Sequence, residues 1–213
     1  MKDIVVVKFG GSCAASPDLG RWVAAVEKAR IPVVIVPGGG PFANTVRRYQ
    51  PRIGYDDEAA HEMAILAMEQ FGCALVSLGT RIVRAHTTEA IAAALEDGKI
   101  PVWMPRDTVL AAGEIPKDWC VTSDSLAAWL AGRLPGARLC LVKQIDVPES
   151  ATVAALAGAE IVDECFATLL DPATEVYVAG PAHLASAALR LDEGEVPGQR
   201  VARQHAAMPA PAR

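Results

Sequence analysis

The chain has 213 residues, 52% of them hydrophobic and 21% charged, with 25 acidic against 20 basic side chains and a formal net charge of −5. That length suits one large α/β domain or two small lobes sharing a sheet, and that apolar content supports a sizeable core and argues against disorder over most of the chain. The acidic balance excludes general binding to nucleic acid or to an anionic membrane, so any phosphate site must be a local basic feature.

In chain order, residues 3–9 read as a buried strand that delivers Lys8 into Phe9-Gly10-Gly11-Ser12. Pro17 to Ala29 reads as a helix, with Ser16 as N-cap and Pro17 at the first helical position. Residues 32–36 form a second strand, ending in Pro37-Gly38-Gly39-Gly40, and a helix follows with Phe42, Val46 and Tyr49 at helical spacing. Asp56 to about Gly79 reads as a long helix whose buried stripe is Ala60, Met63, Ala64, Ala67, Met68 and Phe71. Thr88 to Asp97 is a further helix stopped by Gly98, and residues 100–104 are a strand. Residues 105–120, rich in Pro, Gly and Asp, read as irregular.

Thr122 or Ser123 then caps a helix running to Leu134, and Leu139 to Val142 is a strand that ends at Lys143. Helical patterns cover 150–157 and 164–170, Thr174 to Ala179 is a strand closed by Gly180-Pro181, and 182–191 is a helix. Strands alternating with helices predict an α/β fold, a mostly parallel central sheet covered on both faces in three αβα layers. Pro135-Gly136 is the best boundary between an N-terminal lobe, 1–135, and a short second lobe, 136–203; the Ala/Pro-rich 204–213 is expected to be a flexible tail. The five cysteines, Cys13, Cys73, Cys120, Cys140 and Cys165, are odd in number and form no C-x-x-C pair, so free thiols are expected. No signal peptide precedes the first strand and no apolar run reaches membrane-span length, so a cytoplasmic location is expected.

Ligands of such sheets gather at the carboxyl ends of the strands, where Lys8, Gly10, Gly39, Lys143 and Gly180 all fall. Glycine lets backbone N–H groups approach a phosphate, and a helix N-terminus adds partial positive charge. Lys8 ends a strand buried on both sides, where a charge is costly without a partner. Its spacing is neither the nucleotide P-loop nor a dinucleotide fingerprint. Three successive glycines at 38–40 are entropically wasteful for a simple turn. Arg47 either reaches an acceptor phosphate or lies on a solvated helix face. Asp124 suits a helix first turn and also faces the strand ends, while Lys143 is either solvated or on a nucleotide phosphate. His61 falls within the stripe of the long helix, as a core or interface histidine or as a substrate contact. Trp103 and Trp119 either wall an aromatic or cationic acceptor or pack in the core. No His, Cys or carboxylate cluster has metal-ligand spacing.

Val-Lys-Phe-Gly-Gly-Ser at 7–12, the Pro-Gly-Gly-Gly turn and the Ser-Asp helix start resemble the amino acid kinase superfamily, over nearly the whole chain from Ile4 to about Val201. Three longer strings, Gly38 to Arg47, His61 to Ile65 and Trp119 to Leu126, are similar to the small kinases of methanofuran and methylofuran biosynthesis in one-carbon metabolism. The resemblance implies transfer of the ATP γ-phosphoryl group to a small phosphate ester, (5-aminomethylfuran-3-yl)methyl phosphate, giving the diphosphate. It implies Mg²⁺ held chiefly by the nucleotide phosphates, Lys8 bridging the transferring group, and Asp124 organising that lysine rather than acting as a base. Gly10, Gly11, Ser12, Gly39, Gly40, Lys143 and Gly180 would hold phosphate or nucleotide. Gly38, Phe42, Asn44, Arg47, His61, Trp119, Thr122 and Ser123 would hold the acceptor. It also implies a homo-oligomer, with helix 56–79 as one interface. Ile145-Asp146-Val147-Pro148-Glu149 departs from the Asp-Val-Asp-Gly that many members carry there. The alternatives are a kinase for a nucleotide or isoprenoid monophosphate, or a non-catalytic storage or regulatory protein on the same fold. Isoprenoid-type relatives carry a histidine just after the glycine turn, where this chain has Pro41-Phe42-Ala43.

Overall fold

The structure is a computed structural model that describes residues 4–203; the expected tail, 204–213, lies outside the described residues. Seven strands form one sheet: β1 (Val5–Phe9), β2 (Val33–Pro37), β3 (Ile82–Ala85), β4 (Ile100–Trp103), β5 (Arg138–Val142), β6 (Val176–Ala179) and β7 (Gln199–Val201). Their spatial order is β3-β4-β2-β1-β5-β6-β7, every neighbouring pair being parallel except antiparallel β6 and β7. Nine α-helices connect the described strands: α1 (Leu19–Glu27), α2 (Gly40–Ile53), α3 (Asp57–Leu78), α4 (Thr88–Glu96), α5 (Arg106–Ala111), α6 (Ser123–Arg133), α7 (Val153–Gly158), α8 (Phe166–Leu169) and α9 (Leu184–Glu193). None of the described helices is long and apolar enough to cross a membrane.

The central strands carry apolar residues on both faces because both faces are covered. Alternation then decides which layer each residue meets. Val5, Val7, Phe9, Ile35, Cys140 and Val142 pack with Trp22 of α1 and with Leu184 and Leu191 of α9. Ile4, Val6, Val34, Val36, Leu139 and Leu141 pack on the other face with Leu126 and Leu130 of α6 and Phe166 of α8. Lys8 shares the parity of Ile4 and Val6, and Lys143 that of Leu139 and Leu141. Because β1 and β5 pair with Lys8 opposite Leu141, the two lysines leave adjacent strand ends on the same face, the one covered by α6.

The fold differs from the sequence reading at several points. A 3-10 turn, Gly11–Ala15, intervenes after β1 and α1 begins at Leu19, so Ser16 does not cap it; the Ser16 hydroxyl instead accepts from the Asp18 N–H. β3 is an additional edge strand whose Val83 and Arg84 are not buried, so its apolar signal is weak. The stretch 105–120 is not wholly irregular: α5 starts directly after Pro105, a residue suited to a helix start. Met63 is 39% exposed and leaves the α3 stripe, whose buried members include His61, Ile65 and Leu75.

Candidate active site

The carboxyl ends of β1, β2 and β5 open into a cleft of about 1040 Å³, closed on one side by α2 and α3 and on the other by residues 157–164. At its floor three buried charges meet. The Lys8 ammonium lies 2.7 Å from one carboxylate oxygen of Asp124, and the Lys143 ammonium 2.7 Å from the other. The side chains of Lys8, Asp124 and Lys143 are only 3%, 8% and 13% exposed. Lys143 is therefore not solvated; it also donates to the Ile161 carbonyl. The α6 first turn places Asp124 here, with Thr122 as N-cap.

Burial alone would raise the Asp124 carboxyl, but the Lys8 and Lys143 ammonium groups outweigh it and hold the carboxyl below its ordinary range. Burial lowers Lys143, as does the nearby Lys8 ammonium, against the opposing pull of Asp124 and Asp163. One carboxylate is thus shared between two basic side chains at the floor of the cleft.

The two glycine turns meet backbone to backbone beside this cluster. A Cβ on Gly38 would stand 2.5 Å from the Gly11 nitrogen, and one on Gly11 would stand 2.7 Å from the Gly40 nitrogen. Gly40 also has φ +55°, a conformation that side-chain-bearing residues rarely adopt. α2 starts at Gly40, after a Gly39 N-cap that offers no side chain, so the first N–H groups of this helix have no intrahelical acceptor, and Gly39 and Gly40 both line the cleft. Gly10 lines the cleft, but its N–H donates to the Val142 carbonyl (3.3 Å) and so extends the β1–β5 ladder. Its donor is engaged by that bond.

At the outer, α2–α3 side, Arg47 stacks over the Trp119 ring at 4.3 Å, and the Trp119 indole N–H donates to Gln50 at 2.6 Å. Asn44 and His61 line the same end. Burial, with Lys117 nearby, lowers the imidazole pKa of His61, so it is neutral at pH 7. Ile65, Met68 and Leu126 add an apolar wall.

Lys8, Gly11, Ser12, Gly39, Gly40, Asn44, Arg47, His61, Trp119, Thr122, Ser123, Asp124 and Lys143 are thus brought to one cleft. Gly38, Phe42 and Gly180 do not line it. Gly38 is packed under the Gly11 backbone, and Phe42 points away with 41% of its surface exposed. Gly180 lies against the 145–146 turn, where a Cβ would fall 2.3 Å from the Ile145 carbonyl oxygen. Asp146 in that turn accepts from the Ala182 N–H, so the divergent 145–149 segment braces the turn after β6. Trp103 does not wall the site: it is 1% exposed and stacks on Trp129 at 6.0 Å in the core. Sequence reasoning missed the wall at 157–164, whose Asp163 accepts from the Thr122 hydroxyl at the start of α6. The signal available was a pair of acids, Asp163 and Glu164, beside an apolar strand-like dipeptide, which is too common to single out.

The family model of the amino acid kinase family matches residues 3–85. Over 144 residues the chain is 28% identical to the [5-(aminomethyl)furan-3-yl]methyl phosphate kinase of Methanocaldococcus jannaschii, an alignment spanning 66% of either protein. The fold superposes on the uridylate kinase of Archaeoglobus fulgidus with a TM-score of 0.68 at 18% identity, covering 95% of this chain and 100% of that one. It superposes on the UMP kinase of Ureaplasma parvum with a TM-score of 0.57 at 16% identity, covering 85% and 91%.

Proposed function

We propose that this chain, whose residues 3–85 match the model of the amino acid kinase family, is a kinase that transfers the γ-phosphoryl group of ATP to a small acceptor that already carries a phosphate, with [5-(aminomethyl)furan-3-yl]methyl phosphate as the favoured acceptor. The observation that carries this reading is the position of Asp124. A buried carboxylate clamped by two ammonium groups, with its pKa held low, is a poor proton acceptor. It organises charge, and an acceptor served by such a site needs no base. A phosphate monoester meets that condition, since its second pKa near ~6 leaves it mostly dianionic at pH 7.

An oxygen of the acceptor phosphate attacks the γ-phosphorus, the bond from that phosphorus to the β,γ-bridging oxygen breaks, and ADP leaves as the new diphosphate forms. No proton is removed. Catalysis is then positioning and neutralisation of charge on the transferring group. Lys8 and Lys143 supply the cations, and the first N–H groups of α2 at Gly39 and Gly40 supply fixed donors. Residues 1–135 would hold the acceptor, with Arg47 and Trp119 at its outer end; residues 136–203 would hold the nucleotide through Lys143 and the 157–164 wall. Mg²⁺ would be carried chiefly by the nucleotide phosphates. Bound there, Mg²⁺ would add charge neutralisation.

The test is ADP release with Mg-ATP and, in separate arms, the furan phosphate, its dephosphorylated alcohol, UMP, isopentenyl phosphate and no acceptor. Turnover is expected with the furan phosphate and not with the alcohol. Turnover with UMP or isopentenyl phosphate alone would move the acceptor to another monophosphate. No turnover in any arm would favour a non-catalytic protein.

A further inference from the structure

Asp163 lies between α7 and α8, distant in sequence from every glycine turn and lysine of the site. Its Oδ2 accepts the Thr122 N–H at 3.0 Å, the Thr122 hydroxyl at 2.6 Å and the Ser125 N–H at 3.1 Å, and its Oδ1 accepts the Ser125 hydroxyl. These four donors flank Asp124. The intrinsic cap of α6 is weak by comparison: the Thr122 hydroxyl stands 3.4 Å from the Asp124 nitrogen. The start of this helix is therefore fixed from outside, by a carboxylate whose charge also suits a helix N-terminus. Two residues earlier, the Ile161 carbonyl accepts from the Lys143 ammonium. One short segment thus holds both partners of the Asp124–Lys143 pair, and it does so from the wall of the cleft.

We propose that Asp163 is a positioning residue for phosphoryl transfer, which fixes the first turn of α6 so that Asp124 stays centred between Lys8 and Lys143. It acts through Thr122 and Ser125, and need not touch substrate. The proposal rests on the kinase reading above. A displacement of about 1 Å at a reacting centre costs on the order of 100-fold in rate, so losing this anchor should fall on kcat. The same loss has an electrostatic signature. Lys143 faces Lys8 from β1, Asp124 from α6 and Asp163 from the 157–164 wall; of these, Asp124 and Asp163 favour its charged form. Removing the Asp163 charge should move Lys143 to lower pKa, whatever the protein's substrate.

The experiment compares wild type with Asp163→Asn, Asp163→Glu and Ser125→Ala in two assays. The first is steady-state kinetics with Mg-ATP and the furan phosphate. The second, without substrates, follows acetylation of Lys143 by acetic anhydride against pH, read by mass spectrometry, with circular dichroism as the folding control. Asp163→Asn should lose about 100-fold in kcat with each KM within about threefold, and its Lys143 should become reactive at lower pH. Asp163→Glu keeps the charge and should return the Lys143 profile towards wild type. Ser125→Ala should lose less kcat in the same direction, and it carries the kinetic test if Asp163→Asn does not fold. A folded Asp163→Asn with wild-type kcat, or with an unmoved Lys143 profile, would overturn the proposal. Wild type that releases no ADP would sink the kinase reading instead, leaving the Lys143 profile to judge Asp163.

Discussion

The floor and the outer rim of the cleft are both built from charged side chains, yet they obey different physics. At the floor Lys8, Asp124 and Lys143 are almost wholly buried, and each is tolerable only because the others are there. At the rim, the exposed Arg47 stacks on the half-buried Trp119, whose indole N–H donates to Gln50. A cation–π contact at an exposed site is worth about 0.5–1 kcal/mol. Position in the cleft, more than residue type, therefore decides what a charge can do: under the proposed function the floor would set the rate, and the rim would set which molecule stays long enough to react.

Breaking the floor should have the largest effect. Lys8→Ala removes one cation from the transferring group and leaves Asp124 with Lys143 alone. Turnover should fall by about 10²–10³-fold, the scale seen on deleting a preorganised charge-stabilising donor, while far-UV circular dichroism stays that of wild type. Full activity in the variant would remove Lys8 from the mechanism.

Gly39→Val tests the junction between floor and rim. The reason is packing rather than backbone strain, because Gly39 has φ −77°, which any residue can adopt. A Cβ there would meet the Ala43 Cβ at 2.4 Å, so the α2 start must shift and carry its free N–H groups with it. Calorimetry should show at least about tenfold weaker binding of the furan phosphate, of ATP, or of both, as expected when one or two hydrogen bonds to a charged group are lost. Unchanged affinity for both ligands would leave the triglycine as a simple turn.

The smallest effect should come from the rim. Trp119→Ala removes the platform under Arg47 and an aromatic wall. The acceptor KM should rise by about three- to tenfold, matching ~0.5–1.5 kcal/mol of lost contact, with kcat nearly kept. A fall in kcat with unchanged KM would mean that Trp119 belongs with the floor.

Much of the floor was legible in the chain because its residues have few other uses. A lysine closing an all-apolar strand needs a partner, and three glycines in a row need a reason; that Lys8 and Lys143 share the face of α6 follows only from the β1–β5 register. What stayed hidden depends on contacts between distant segments. Asp163 reaches α6 from 38–41 residues away, and its own neighbourhood has no periodic pattern. Gly180 reads as a phosphate turn until the 145–149 segment is seen lying against it. Edge strand β3 and short α5 were lost for local reasons, a polar side chain within four residues and a helix hidden behind proline. The engaged N–H of Gly10 was invisible because the β1–β5 ladder runs one residue past the strand.

The most direct test of base-free phosphoryl transfer is the pH–rate profile of Asp124→Asn with the furan phosphate as acceptor. In wild type the carboxylate sits below its ordinary pKa, so it is ionised throughout the neutral range and has no proton affinity to lend. Replacing it should lower kcat by on the order of 100-fold, because two buried ammonium groups then face each other without their shared anion. The residual rate should level off above the acceptor's second pKa near ~6, as in wild type. A residual rate that climbs tenfold per pH unit well above that value, with hydroxide doing the work of the missing carboxylate, would show that Asp124 takes a proton. The acceptor would then be an alcohol, and the account given for this cleft would be wrong.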